Sequence, residues 1–305
     1  MNLEFNLVKF PIIFPIIYGI ILYLLPGLET YLIFFTILIL AETHFGATWP
    51  FFLNKANEKF IKKNRITLIS FPIIIVIASL IGFIFLKPTF LLIFFAINMY
   101  HVTRQSFGVC KLYTKETSKI KYQEIFIYIF NLIFFLIGFF RFYFPILSPN
   151  YIFLLNIIII GLILLVLIIY FLRNGFSDSF YTFVTGIIIF YPICFVANPV
   201  HAIIMGVTMH YTQYLYLTYK VFRGRNLTKI IQTSKSTYLN VILVYSVLMS
   251  ILSLSGKSSN EMLNFLIIVP IIGQMLHFYL DSQLWKFSET HNRENTLKFI
   301  NSNST

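Results

Sequence analysis

The sequence predicts an all-α fold: a polytopic transmembrane helical bundle of about ten helices, with both termini on the cytoplasmic side. Three observations predict it. The 305 residues are 58% hydrophobic and only 11% charged, whereas a soluble domain carries about a quarter charged residues. Several continuous apolar runs reach the roughly 20 residues a helix needs to cross a bilayer, unlike the ~10-residue alternating segments of a membrane barrel. Basic residues gather in short loops beside those runs, as the positive-inside bias dictates.

Taken in order, the apolar runs place segments at about 8–25, 28–53, 66–86, 88–109, 122–145, 150–172, 177–197, 198–219, 238–255 and 261–285. In the first, Lys9 precedes a long apolar stretch with no small-residue cleavage site, which reads as a retained helix and not a cleaved signal. Pro26-Gly27, Lys87-Pro88, Ser148-Pro149 and Asn198-Pro199 punctuate the joints between neighbours. Trp49-Pro50 closes the second segment at the interface. With the N-terminus inside, only Lys87, Arg141 and Lys257 of the 23 Lys and Arg residues lie toward the outer side. That asymmetry supports both the orientation and the number of segments, and the bacterial inner membrane is the expected location. Residues 1–285 are expected to form one transmembrane domain, and 286–305 a polar cytoplasmic tail that frays.

The net charge of +12 is explained by these juxtamembrane loops, so nucleic acid is excluded as a partner. The lipid bilayer and a lipophilic small molecule are the partners expected. Two cysteines, Cys110 and Cys194, fall near opposite faces and make no disulfide framework.

Chemistry concentrates in four even-numbered segments, which all run from outside to inside. His44, His101, His210 and His277 each precede a basic residue (Lys55, Lys111, Lys220, Lys286) by 9 to 11 residues. Ten helical residues rise about 15 Å, so the four imidazoles are expected at one depth near mid-membrane, where ionisable groups are costly and usually functional. Each has a polar companion one turn away: Thr48 for His44, Gln105 and Asn98 for His101, Gln213 for His210, Asp281 and Gln274 for His277. Glu42, Tyr100, Arg104, Tyr211 and Tyr214 add polar groups nearby. His201 points to the opposite face from His210 and is set aside, and His291 in the tail is expected to be solvated.

Several neutral imidazoles in one place are suited to a metal. The expected ligands are therefore His44, His101, His210 and His277, with non-haem Fe(II) favoured over zinc or copper because no thiolate is present. Asp281 and Glu42 would orient the ligands or take a coordination place, Gln105, Gln213 and Gln274 would support them, and Arg104 would snorkel or bind an anionic group. No HEXXH motif and no clustered HXXXH or HXXHH boxes occur, which argues against the standard membrane desaturase fold.

The stretches THFGATW around His44, YHVTRQSFG around His101 and MHYTQYL around His210 give the chain a resemblance to membrane-embedded, histidine-dependent oxygenases. The nearest family is the Brp/Blh-type β-carotene dioxygenases. That resemblance implies an all-helical membrane enzyme whose intramembrane histidines hold iron and which cleaves a carotenoid. The chain departs from that pattern in having no Asp after His44-Phe45-Gly46, a single late histidine at His210, and the segment HFYLDSQLWK. Two other classes stay open at this point: a haem b electron-transfer protein with paired axial histidines, and a proton or solute transporter with a polar centre.

Overall fold

A computed structural model of the chain describes residues 3–146, 148–227, 235–256 and 261–301. Among the described residues every regular element is helical. The principal helices are α1 (Ile13–Leu24), α2 (Pro26–Phe52), α3 (Ile66–Phe85), α4 (Lys87–Tyr113), α5 (Thr117–Tyr143), α6 (Pro149–Asn174), α7 (Asp178–Cys194), α8 (Pro199–Leu227), α9 (Lys235–Ser255) and α10 (Leu263–Leu284).

Their ends follow from local chemistry. Ser148 accepts from the Tyr151 amide at the start of α6, with Pro149 in the first turn, where its missing N–H costs nothing. Gly175, at φ 61°, closes the same helix by donating to the Phe171 carbonyl, a left-handed geometry that favours glycine. Ser177 caps α7 through the Phe180 amide, and Asn198 accepts from the Val200 amide before α8. α4 runs on to Tyr113 and α8 to Leu227, past the ends expected at 109 and 219.

Among the described residues six helices are long and apolar enough to cross a membrane: α2, α3, α5, α6, the Tyr238–Ser255 part of α9, and α10. α1 and α7 are apolar but shorter. α4 and α8 have ample length, at 27 and 29 residues, so their polar side chains are what set them apart from the six. α6 shows the bilayer pattern most clearly, because Leu154, Ile157, Leu164, Leu165 and Ile168 all face outward. Such an outer surface is unfavourable in water and ordinary in hydrocarbon.

By compactness the chain forms two units, one of Met1–Ile33 with Asn98–Gln213, the other of Phe34–Ile97 with Tyr214–Thr305. The first is knit by buried polar contacts between α5, α6 and α7. Gln123 Nε2 donates to Tyr170 Oη at 3.0 Å and to the Ser179 carbonyl at 3.2 Å, and Asn131 donates to the Gly186 carbonyl at 3.0 Å. In the second unit, α2 packs along α9 and α10. Gly46 makes the α2–α9 approach possible, since a Cβ there would lie 3.0 Å from the Tyr245 ring.

The C-terminal segment corrects an expectation. Residues 290–301 do not fray: they fold into short helical turns that pack within the second unit. Asn292 Nδ2 donates to the carbonyls of Gln283 and Lys286, and Arg225 Nε donates to that of Asn295 at 2.7 Å. Phe299 and Ile300 are buried, Phe299 against Gly224. His291 is not solvated as expected. It stacks flat on Phe60, ring centroids 4.4 Å apart, and pairs with Asn57 at 2.9 Å. Apolar residues spaced among the tail's polar ones give it a face to bury, which composition alone conceals.

Candidate metal centre

The second unit brings His44 of α2 and His277 of α10 together. Both are fully buried, at 0% exposure. Their ring centroids lie 4.4 Å apart, tilted by 66°, and a ring nitrogen of each lies within 4.8 Å of the other. Tyr214 of α8 closes on His44 at 4.3 Å, and Phe45 lies edge-on to His277 at 5.0 Å. The flanks of the site are aromatic.

His277 is held by a chain of hydrogen bonds. Its Nδ1 lies 2.6 Å from Thr48 Oγ1, Thr48 Oγ1 lies 2.9 Å from the Tyr214 hydroxyl, and that hydroxyl donates to Asp281 Oδ1 at 2.7 Å. With Asp281 ionised, one direction alone puts a proton in every contact. His277 Nδ1–H donates to Thr48, Thr48 donates to Tyr214, and Tyr214 donates to the carboxylate. The lone pair of His277 then sits on Nε2, the nitrogen that a metal would take. Asp281 Oδ2 lies 3.7 Å from that Nε2, beyond a hydrogen bond. The companions read one turn away along each helix are present, but Thr48 serves the histidine of another helix. That cross-helix exchange is set by packing and leaves no mark in the sequence.

The first unit brings His101 of α4 and His210 of α8 together. Their centroids lie 5.7 Å apart with the rings nearly perpendicular at 88°, and both are buried. The depth of His210 is fixed one turn earlier. A Cβ at Gly206 would overlap the Ile189 carbonyl oxygen, so α8 touches α7 backbone to backbone there. Gln213 donates to the Val8 carbonyl at 2.8 Å and so ties α8 to the N-terminal segment. Gln105 is half-buried and Arg104 exposed.

Glu42 is buried at 1% exposure on the far side of α2 from His44, two residues and about 200° away. Gln274 and Ser253 face its carboxyl. His201 is engaged elsewhere. It bonds Tyr18 at 2.7 Å through Nδ1 and Glu29 at 2.8 Å through Nε2.

Imidazole pairs at these separations, with a carboxylate and hydroxyls beside one of them, offer nitrogen and oxygen donors without thiolate. That donor set suits iron, zinc or copper. Comparison with known proteins finds no matching family model, no matching curated protein and no matching solved structure.

Proposed function

We propose that this chain is an integral-membrane enzyme whose buried imidazoles hold a non-haem metal, Fe(II) by preference, and that it oxidises or cleaves a lipophilic substrate such as a carotenoid or lipid. His44, His101, His210 and His277 are the ligands in this reading. The observation that carries it is the chain from His277 through Thr48 and Tyr214 to Asp281. A histidine whose second nitrogen is tied to a carboxylate through hydroxyls is held in one tautomer and one orientation, which is how metal-ligating imidazoles are supported. Bound Fe(II) would supply activation of dioxygen. The residues do the rest: Phe45, Tyr214 and Phe278 exclude water, and the Tyr214 hydroxyl holds a proton beside Asp281.

Iron between two imidazoles of a haem is less well supported for the pair in the second unit. Rings 4.4 Å apart leave no room for a porphyrin plane between them. The ten-segment arrangement with both termini in the cytoplasm, in a bacterial inner membrane, belongs to the same proposal. Its support is the basic-residue asymmetry, together with α1, α4, α7 and α8, which with the six apolar spans make ten.

The test is elemental analysis with an absorption spectrum on protein purified anaerobically in detergent. Bound iron without a haem spectrum is expected, and His277→Ala should lose most of it while remaining helical. Folded wild-type protein without any bound transition metal would sink the proposal.

A further inference from the structure

The other face of α2 carries a second polar cluster within the same unit. Glu42 is its centre, and among the described residues no cationic side chain pairs with it. Its Oε2 is buried and has no hydrogen-bond partner there. Nor has the buried Ser250 Oγ, and Tyr245 Oη and Trp49 Nε1 face each other beside it. An unpaired carboxylate in such a place is expensive.

These atoms share one locality. Ser246, Ser250 and Ser253 recur on one face of α9 at helical spacing. Ser246 donates to the Leu38 carbonyl of α2, and Ser253 faces Glu42. Ser250, between them and 1% exposed, is therefore aimed at α2 as well. Tyr245 crosses the same interface. Its ring packs on Gly46, and its hydroxyl would lie 2.6 Å from a Cβ at Gly273. Gln274, next to Gly273 on α10, faces Glu42. Just before Glu42, α2 opens into a wide π turn over Ile37–Ala41, a local widening often found at binding sites.

We infer that Glu42, Ser250, Ser253, Gln274 and Tyr245 form a binding site for a desolvated alkali-metal cation, sodium by preference, between α2, α9 and α10. The donors are all oxygen, which suits a hard cation and not a transition metal. One carboxylate matches one positive charge. Membrane proteins commonly place such ions against carboxyls, hydroxyls and unwound helix backbone near mid-bilayer. The site shares α2 with His44 but uses the opposite face of that helix.

The experiment is thermal unfolding of the purified full-length protein in sodium chloride, potassium chloride or choline chloride at equal ionic strength. A saturable rise of about 5 °C is expected at an alkali cation concentration a hundredfold above half-saturation, with none in choline. Ser250→Ala should raise the half-saturating concentration about tenfold (a ratio equivalent to losing one good ligand contact), and Glu42→Gln should abolish the response. Identical unfolding of the wild type in all three salts would overturn the proposal and leave the cluster to ordered water and a protonated Glu42. So would an unchanged sodium response in Ser250→Ala, a variant that removes one hydroxyl and keeps the helix. Neither result bears on transition-metal content, which is measured separately.

Discussion

At the scale of single residues, the most consequential side chain in the second unit is Thr48, which carries no charge and binds no metal itself. Its hydroxyl lies between His277 Nδ1 at 2.6 Å and Tyr214 at 2.9 Å, so the tautomer of His277 depends on it. Thr48→Val keeps the shape and removes the relay. Metal affinity should fall roughly 10- to 100-fold, as for other supporting partners of ligating histidines, with little change in unfolding temperature beyond the lost hydrogen bonds. Metal titration of the purified variant decides it, and unchanged affinity would mean that the hydroxyl chain has no part in orienting the imidazole. Tyr214, which joins Thr48 to Asp281, could be named from the sequence only as a polar neighbour one turn from His210. The imidazoles themselves were legible, because four histidines in apolar runs, each 9 to 11 residues before a lysine, form a pattern along the chain. Which of them meet, and through which hydroxyl, depends on lateral packing of distant segments.

At the scale of elements, close helix approach and tail docking carry the structure. Gly206 lets α8 reach the α7 backbone, and the obstructing atom is the Ile189 carbonyl oxygen, which cannot swing away as a side chain can. Gly206→Ala should therefore cost about 3 kcal/mol, the upper part of the range for overpacking, and should shift His210, one turn further on. Thermal unfolding checks the first consequence, and retention of wild-type stability would show that the two helices part easily. The docked tail has its own pH dependence. Burial, and next the positive charge of Arg225, hold the His291 imidazole below its ordinary value near 6.5, with Glu294 opposing. Below that ordinary value the undocked tail binds more protons than the docked one, so docking weakens as pH falls through about 6.5 and levels off once the docked imidazole is also protonated. Hydrogen exchange over residues 290–301 between pH 7.5 and pH 5 should rise accordingly, and should become flat in His291→Gln. The apolar helices could be read from the sequence because each needs only its own residues to be recognised. The docked tail could not, since Phe299 and Ile300 are apolar without being a long run, and Gly224, which receives Phe299, lies far away in sequence.

At the scale of the whole molecule, the orientation of α8 rests on the two shortest apolar helices. α7 is 17 residues long and ends in a tight turn at Tyr191–Cys194, so it extends about 25 Å, slightly less than the ~30 Å hydrocarbon core. α1 is shorter still, and lies just after the turn over Phe5–Lys9. If exactly one of the two failed to cross, α8 would run the opposite way, and the basic residues Lys220, Arg223 and Arg225 near its end would face outward. Three positive charges beside a membrane segment strongly disfavour that side. Each crossing is therefore expected, and reporter fusions test them singly. Fusions after Asn57, Glu116, Gly175 and Asn226 should be fluorescent with a cytoplasm-dependent reporter, whereas fusions after Phe144 and Asn198 should be active with an export-dependent enzyme. An active export reporter after Asn226 would remove the outside-to-inside direction of α8, and with it the placement of His210 above the cytoplasmic lysine Lys220. Activity after Gly175 would place the fault before α7 and move every later segment with it, so the pattern of signals identifies the segment that does not cross.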